Sequence, residues 1–244
     1  MTLGVASTIT LGLLLARWCK RPVAEGLLSG CAVGICGASA ALAVSSVLPA
    51  TRENERFTLL TVVGVTLMST LAMVLYPLLA GAIGLSAAQA GIFFGATIHD
   101  VAQVVAAGMM LSDAGNTAAA DSATVVKLFR IMLLMPVVLL LTLALRTGSK
   151  GRANMAADEQ PALLPGFLLA FIAFMLLATF SLVPTALAQS AGGASRALLV
   201  LAIAAAGVKT SFENLLKLGW TPVLMLLAES VWIAAFAASG LLLG

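Results

Sequence analysis

The chain has 244 residues, 61% of them apolar and only 9% charged, with a net charge of +3. Its mean hydropathy is +1.10. Soluble domains carry about 25% charged residues, so this composition excludes an ordinary soluble globule and predicts an all-α, polytopic membrane bundle. The apolar runs are continuous rather than alternating, which argues against a transmembrane barrel. The basic residues are scattered around apolar segments, so nucleic acid is not an expected partner and the lipid bilayer is.

Eight membrane segments are predicted in chain order. The first, Thr2 to Ala16, is short for a full span. Arg17, Lys20 and Arg21 follow it rather than precede it, unlike the order in a cleaved signal peptide. The second runs from about Leu27 to Pro49 and is crowded with small residues around Gly30, Gly34 and Gly37. The third spans about Phe57 to Ile83 and the fourth about Ala87 to Leu111. The fifth runs from about Asp121 to Arg146, with Lys127 and Arg130 in its first third. A polar stretch, 147–163, reads as a solvent-exposed loop. The sixth segment covers about Leu164 to Val183 and the seventh about Gly193 to Gly207. A short amphipathic helix follows, with Thr210 and Glu213 at capping-box spacing. The eighth covers about Pro222 to Leu243.

Placing Arg17–Arg21 in the cytoplasm puts Arg17, Lys20, Arg21, Arg146, Lys150, Arg152, Lys209 and Lys217 on that side. Arg52, Arg56 and Arg196 fall on the other. This bias obeys the positive-inside rule and fixes the orientation of a multi-pass membrane protein. Segments two and seven share an order: small residues, a glycine break, a charged link and a long helix. They run in opposite directions in this topology, the pattern of an inverted repeat whose discontinuous helices meet at a site. Glycine-mediated helix packing is the plainer explanation of the same residues. The corresponding division is 1–146 (a partial first repeat and the start of a second from about residue 84), the loop 147–163, and 164–244.

Ionisable groups inside the apolar zone cost about 2.5–3.5 kcal/mol each on insertion scales, so each needs a partner or water. They are His99, Asp100, Lys127, Arg130 and Glu229. Thr97 and Asp100 have N-cap and N3 spacing, so a helix is expected to begin within segment four. His99 and Gln103 are i, i+4 and should share a face. Ala106, Ala107 and Gly108 leave room for a neighbouring helix. The group forms either a polar site at a helix break or a structural cluster that holds helices in register. His99, whose imidazole ordinarily titrates near about pH 6.5, is suited to carry a proton.

In segment two, Gly34 and Gly37 supply flexible backbone, and Ser39 is expected to cap the second half-helix. The free N–H groups there suit an anion. Lys127 and Arg130, at i, i+3, are expected to neutralise an anionic solute, to pair with Asp100, or to snorkel to the interface. Glu229 is expected to make an interhelical hydrogen bond. Lys209 and Thr210 sit at the second break, where they contact solute or anchor the chain. No Walker loop, dinucleotide fingerprint or metal cluster is present in the sequence, so no cofactor or metal is expected. Cys19, Cys31 and Cys36 form no ligand or disulfide pattern.

The stretches Gly34–Ala40 (GICGASA), Gly95–Gly108 (GATIHDVAQVVAAG), Lys127–Leu139 (KLFRIMLLMPVVL) and Gly207–Pro222 (GVKTSFENLLKLGWTP) resemble the YeiH-like sulfate exporter family in order and spacing. The resemblance covers nearly the whole chain from about Gly30. It implies a bundle of inverted repeats with crossed discontinuous helices, similar to bile-acid symporters and sodium/proton antiporters. It further implies a secondary transporter, not an enzyme, exporting a small inorganic or sulfonated anion by alternating access. A coupling proton or sodium ion and a homo-oligomer are compatible with it. On this reading the solute is bound by Gly34, Cys36, Gly37, Ser39, His99, Asp100, Gln103, Lys127, Arg130, Lys209 and Thr210. Two departures stand out. Asp100 replaces the family's usual Glu, and family members carry further residues before the first segment. The rival expectations are therefore a truncated, transport-inactive membrane fragment that needs a partner chain and, remotely, an intramembrane enzyme.

Overall fold

The computed structural model describes residues 1–111, 117–148, 220–243 and isolated positions between 170 and 201. The described elements are helical throughout. α1 is Thr2–Trp18. α2 (Val23–Cys31) runs into a π-helical turn, Ala32–Cys36, and stops at Gly37. α3 (Ala38–Ser45) resumes beyond it. α4 is the 31-residue helix Arg52–Ala82. α5 (Ala87–Thr97) and α6 (Val101–Met110) are separated by Ile98, His99 and Asp100. α7 is Ala118–Met132, α8 is Leu134–Gly148 and α9 is Trp220–Leu243.

Local chemistry fixes several boundaries. Thr51 caps α4 by accepting from the Asn54 N–H at 3.2 Å. Glu53 and Glu55 in the first turn complement the helix dipole, so the helix starts before the apolar run that begins at Phe57. Ser86 and Gln89 form a complete capping box at α5, with bonds of 3.3 and 3.0 Å. The predicted fifth segment is two helices that part at Leu133. Pro136 lies in the first turn of α8 and has no N–H to continue the ladder. α4, the α7–α8 stretch Ala118–Ala144, and Trp220–Leu242 are long and apolar enough to cross a bilayer. α4 turns Leu59, Leu67, Leu71, Leu75 and Leu78 outward, as a lipid-facing surface would. The predicted sixth and seventh segments and the amphipathic helix lie almost wholly outside the described residues.

Small residues set how closely the helices approach. Gly26 on α2 packs against Gly12 on α1; a Cβ on either would strike the other's carbonyl oxygen. One turn on, a Cβ at Gly30 would lie 2.9 Å from the Ile9 Cα. α5 repeats the arrangement against α7: Cβ atoms at Gly91 and Gly95 would strike the Ala119 and Ala123 carbonyls. Gly108 of α6 seats on Ala120, with a Cβ placed 2.6 Å from its Cα, as the small Ala106–Gly108 stretch led us to expect. α7 therefore carries both halves of the interrupted α5–α6 unit on one alanine-rich stripe, the close packing that apolar solvent favours.

Gly26→Val is expected to lower stability by about 1–3 kcal/mol, the usual cost of overpacking a tight contact. Gly81→Ala, where no atom lies within 4 Å of the added carbon, should not. Thermal unfolding of both variants in detergent micelles checks the contrast. An unchanged midpoint for Gly26→Val would refute the α1–α2 packing.

Candidate functional site

The two interrupted helices cross at their breaks. Gly37 adopts φ +68° and ψ −126°, a conformation open to glycine and strained for other residues. A Cβ there would sit 3.2 Å from the His99 Cβ, so the missing side chain also allows the approach. Sequence reasoning placed a break at Gly34–Ser39, and it falls at Gly37. The expected facing break at Gly207–Thr210, including Lys209 and Thr210, lies outside the described residues. Among the described residues, the break opposite Gly37 is the Ile98–Asp100 link.

Ending helices inside the protein frees main-chain carbonyls, which in a dry interior need donors. Lys127 and Arg130, both fully buried, supply them. The Lys127 ammonium donates to the carbonyls of Ile35 (3.1 Å), Ile98 (3.0 Å) and His99. Arg130 donates from Nε to Gly34 (3.1 Å) and from Nη2 to Val33 (2.8 Å). Its Nη1 donates to Gly95 (3.1 Å) and Ile98 (3.4 Å). The i, i+3 spacing on α7 aims both cations at the same crossing. They do not snorkel, and neither pairs with Asp100: the ion pair among the described residues is Arg21–Glu25. Helix C-termini carry partial negative charge, so the cations neutralise two helix ends at once.

Asp100 has a different task. It is the N-cap of α6, accepting from Ala102 N–H at 2.8 Å and Gln103 N–H at 3.3 Å. This corrects the expectation that Thr97 caps the new helix. Thr97 ends α5, and its hydroxyl donates back to the Phe93 carbonyl at 2.6 Å. Ser69 of α4 decides between them. Its Oγ accepts from the N–H groups of both His99 (3.2 Å) and Asp100 (3.0 Å), holding the link extended.

Because the helix is broken here, His99 and Gln103 do not share a helical face. His99 Nε2 pairs with the Ser230 hydroxyl of α9 at 3.0 Å, and its Nδ1 is buried without a partner. Gln103 Nε2 donates to Thr70 Oγ1 at 2.8 Å, and its Oε1 is also buried and unpartnered.

On the other side of the crossing, Ser39 does not cap α3. Gly37 occupies the N-cap position without a side-chain bond. The Ser39 hydroxyl points back to Cys36, 3.1 Å from its carbonyl oxygen and 2.9 Å from its thiol. The N-cap residue of α3 thus offers no side chain to its first N–H groups, and the Cys36 sulfur lies against that of Ala40. Gly34 contributes its carbonyl to Arg130 and lies in the π-helical turn.

The structure brings together Gly34, Cys36, Gly37, Ser39, His99, Lys127 and Arg130, with Asp100 at the edge and Gln103 turned toward α4. Sequence reasoning missed Ser69, Thr70 and Ser230. The available signal was a hydroxyl pair, Ser69–Thr70, inside an otherwise oily helix, where polar side chains normally serve a neighbouring element.

Arg130→Met is expected to remove four hydrogen bonds and leave the Val33, Gly34 and Gly95 carbonyls bare, costing at least about 3 kcal/mol. Arg130→Lys should fall between wild type and Met, since it keeps charge but loses the planar fork. Unfolding midpoints in micelles check the order. A Met variant as stable as wild type would show that the guanidinium does not hold the crossing.

A family model described as Conserved hypothetical protein 698 matches residues 1–226. The UPF0324 membrane protein TauZ of Paracoccus denitrificans is 45% identical over 239 residues, 98% of this chain and 69% of the relative. The UPF0324 membrane protein CT0845 of Chlorobaculum tepidum is 44% identical over 230 residues, 94% of this chain and 62% of the relative. The UPF0324 membrane protein RB0971 of Rhizobium meliloti is 42% identical over 238 residues, 97% and 67%. The chain spans about two thirds of the length of these curated relatives. No solved structure matches it. The YeiH-like resemblance fits these matches. With a family model covering most of its length and helices able to cross a bilayer, the chain is a multi-pass membrane protein that belongs to the Conserved hypothetical protein 698 family, whose relatives named above are UPF0324 membrane proteins.

Proposed function

We propose that this protein acts as a secondary transporter that exports a small anion, sulfate or a sulfonate, by alternating access. The observation that carries this reading is the crossing of two interrupted helices at buried breaks, Gly37 against His99, with two cations beneath it. Interrupted helices that meet inside a bundle are a recurrent way to build a solute site in a membrane.

Charge argues for an anion. Three carbonyl oxygens surround the Lys127 nitrogen, a set that matches the three N–H donors of an ammonium, and Arg130 is a guanidinium. Against these two positive charges stand two helix C-termini of about −0.5 each and the Asp100 carboxylate. The N-termini of α3 and α6 return about +0.5 each. The crossing is left about one charge positive. Lys127 and Arg130 act through this field, since their donors are largely committed to carbonyls. The solute's direct partners are the N–H groups at the start of α3, beside Cys36 and Ser39, and the His99 imidazole. Asp100 and Gln103 line the approach from α4. In the fuller inverted-repeat arrangement, the Gly207–Thr210 break would bring Lys209 and Thr210 to the same centre, and one helical bundle would rock against the other.

Labelled sulfate and a taurine-like sulfonate should move through liposomes containing the purified chain. His99→Ala is expected to slow that flux about tenfold, the equivalent of one lost buried hydrogen bond of ~1.4 kcal/mol. Equal rates would remove His99 from the mechanism. Flux no greater than in empty liposomes for both anions would overturn the assigned cargo.

A further inference from the structure

Glu229 lies midway along α9 and takes no part in the crossing. It is fully buried. Oε1 accepts from the Ser29 hydroxyl of α2 at 2.8 Å, and Oε2 is buried without a partner. The groups around it offer no counter-charge. α1 presents Gly12, and α2 presents Ser29 and the Cys31 thiol. α4 meets this part of α9 through Gly64 and Met68, both uncharged. The α5–α6 link presents His99, which is bonded to the neighbouring Ser230. Lys127 and Arg130 are engaged with carbonyls, and no cation pairs with Glu229 among the described residues.

An isolated carboxylate in such a place costs many kcal/mol, and a buried group in this position takes up a proton instead. A metal ion is a poor alternative. A Cβ at Gly12 would lie 2.7 Å from Oε1, so that oxygen is packed closely against α1. No cluster of three acidic, cysteine or histidine ligands occurs among the described residues.

Position gives the proton a consequence. Glu229 and Ser230 are adjacent, yet they hold different interrupted helices: Glu229 holds α2 through Ser29, and Ser230 holds the α5–α6 link through His99. We propose that Glu229 is a proton-binding site of the transport cycle, loaded in the packed arrangement described here and emptied when α9 draws away from α1 and α2. The proton leaves Oε2 for water that enters the opened contact, and the carboxylate formed there is then solvated. Ionisation in the closed contact is opposed by desolvation, so proton release and separation of α9 are one event. The same displacement pulls Ser230 from His99, which ties the proton to the solute centre. This inference rests on the transporter reading for its role in a cycle, though proton binding itself does not.

The test has two arms on the full chain in liposomes. Infrared spectra across a pH series should show a protonated-carboxyl band that fades reversibly as pH rises and is absent in Glu229→Gln. Ser29→Ala should move the pH at which that band fades, and it serves if Glu229→Gln fails to fold. In the second arm, an imposed pH difference should change the wild-type sulfate gradient by up to about tenfold per pH unit for one coupled proton, ~1.4 kcal/mol. The Glu229→Gln gradient should not respond. Spectra of wild type and Glu229→Gln that agree at every pH would overturn the proposal, as would a band insensitive to Ser29→Ala. A wild-type band that titrates while neither sulfate nor sulfonate moves would sink the cargo assignment and leave the proton site standing.

Discussion

Everything in this fold depends on supplying hydrogen-bond donors to carbonyls that two broken helices release in a waterless interior. A continuous helix satisfies its own backbone, and that is why helices span bilayers at all. Here α2 and α5 both end inside the protein, and Lys127 and Arg130 answer with seven hydrogen bonds to six residues. A single unanswered carbonyl costs about 1–3 kcal/mol, so without these two side chains the breaks could not persist. The close approach of Gly37 to His99 is a consequence: one pair of cations can serve both helix ends only if those ends lie together.

That economy constrains motion. Both cations sit within one turn of α7, and α7 also grips Gly91, Gly95 and Gly108 through its alanine stripe. The π-turn, the α5–α6 link and α7 are therefore bound to one another by buried contacts that cannot part without baring carbonyls. Contacts able to change without baring a carbonyl lie elsewhere. They are the side-chain bonds of α9 to Ser29 and His99, and those of α4 to His99, Asp100 and Gln103. A rocking bundle needs seams of this kind, whose hydrogen bonds can be exchanged for water.

The sequence made much of this legible, and the misses have physical causes. Glycine spacing pointed to the break at Gly37, and an imidazole, a carboxylate and an amide in oily surroundings pointed to the other. The capping chemistry was harder. Thr97 and Asp100 are both competent caps, and Ser39 is a better cap than glycine by propensity. Tertiary contacts decided each case: Ser69 fixes the His99–Asp100 backbone, and the positive-φ break makes Gly37 the N-cap and leaves Ser39 two residues too deep. The partners of Lys127 and Arg130 could not be read at all. A buried cation announces that it needs acceptors, but every residue carries a carbonyl, so nothing in the sequence marks which will be freed. The carboxylate partner expected for them, Asp100, was the visible candidate and the wrong one.

The separation of charges completes the logic. Were Glu229 placed beside Arg130, the pair would neutralise itself, and the guanidinium would turn from the carbonyls to the stronger acceptor. The crossing would lose both its donors and its field. Instead the fold sets the carboxyl against Ser29, where neutrality is its cheapest state, and leaves both cations to the backbone. A chain so poor in charged residues thus keeps Glu229 from meeting Lys127 and Arg130. The bases hold the crossing positive. The acid, joined to that crossing through Ser29 of α2 and through the neighbouring Ser230 and His99, can change its charge without baring a carbonyl there.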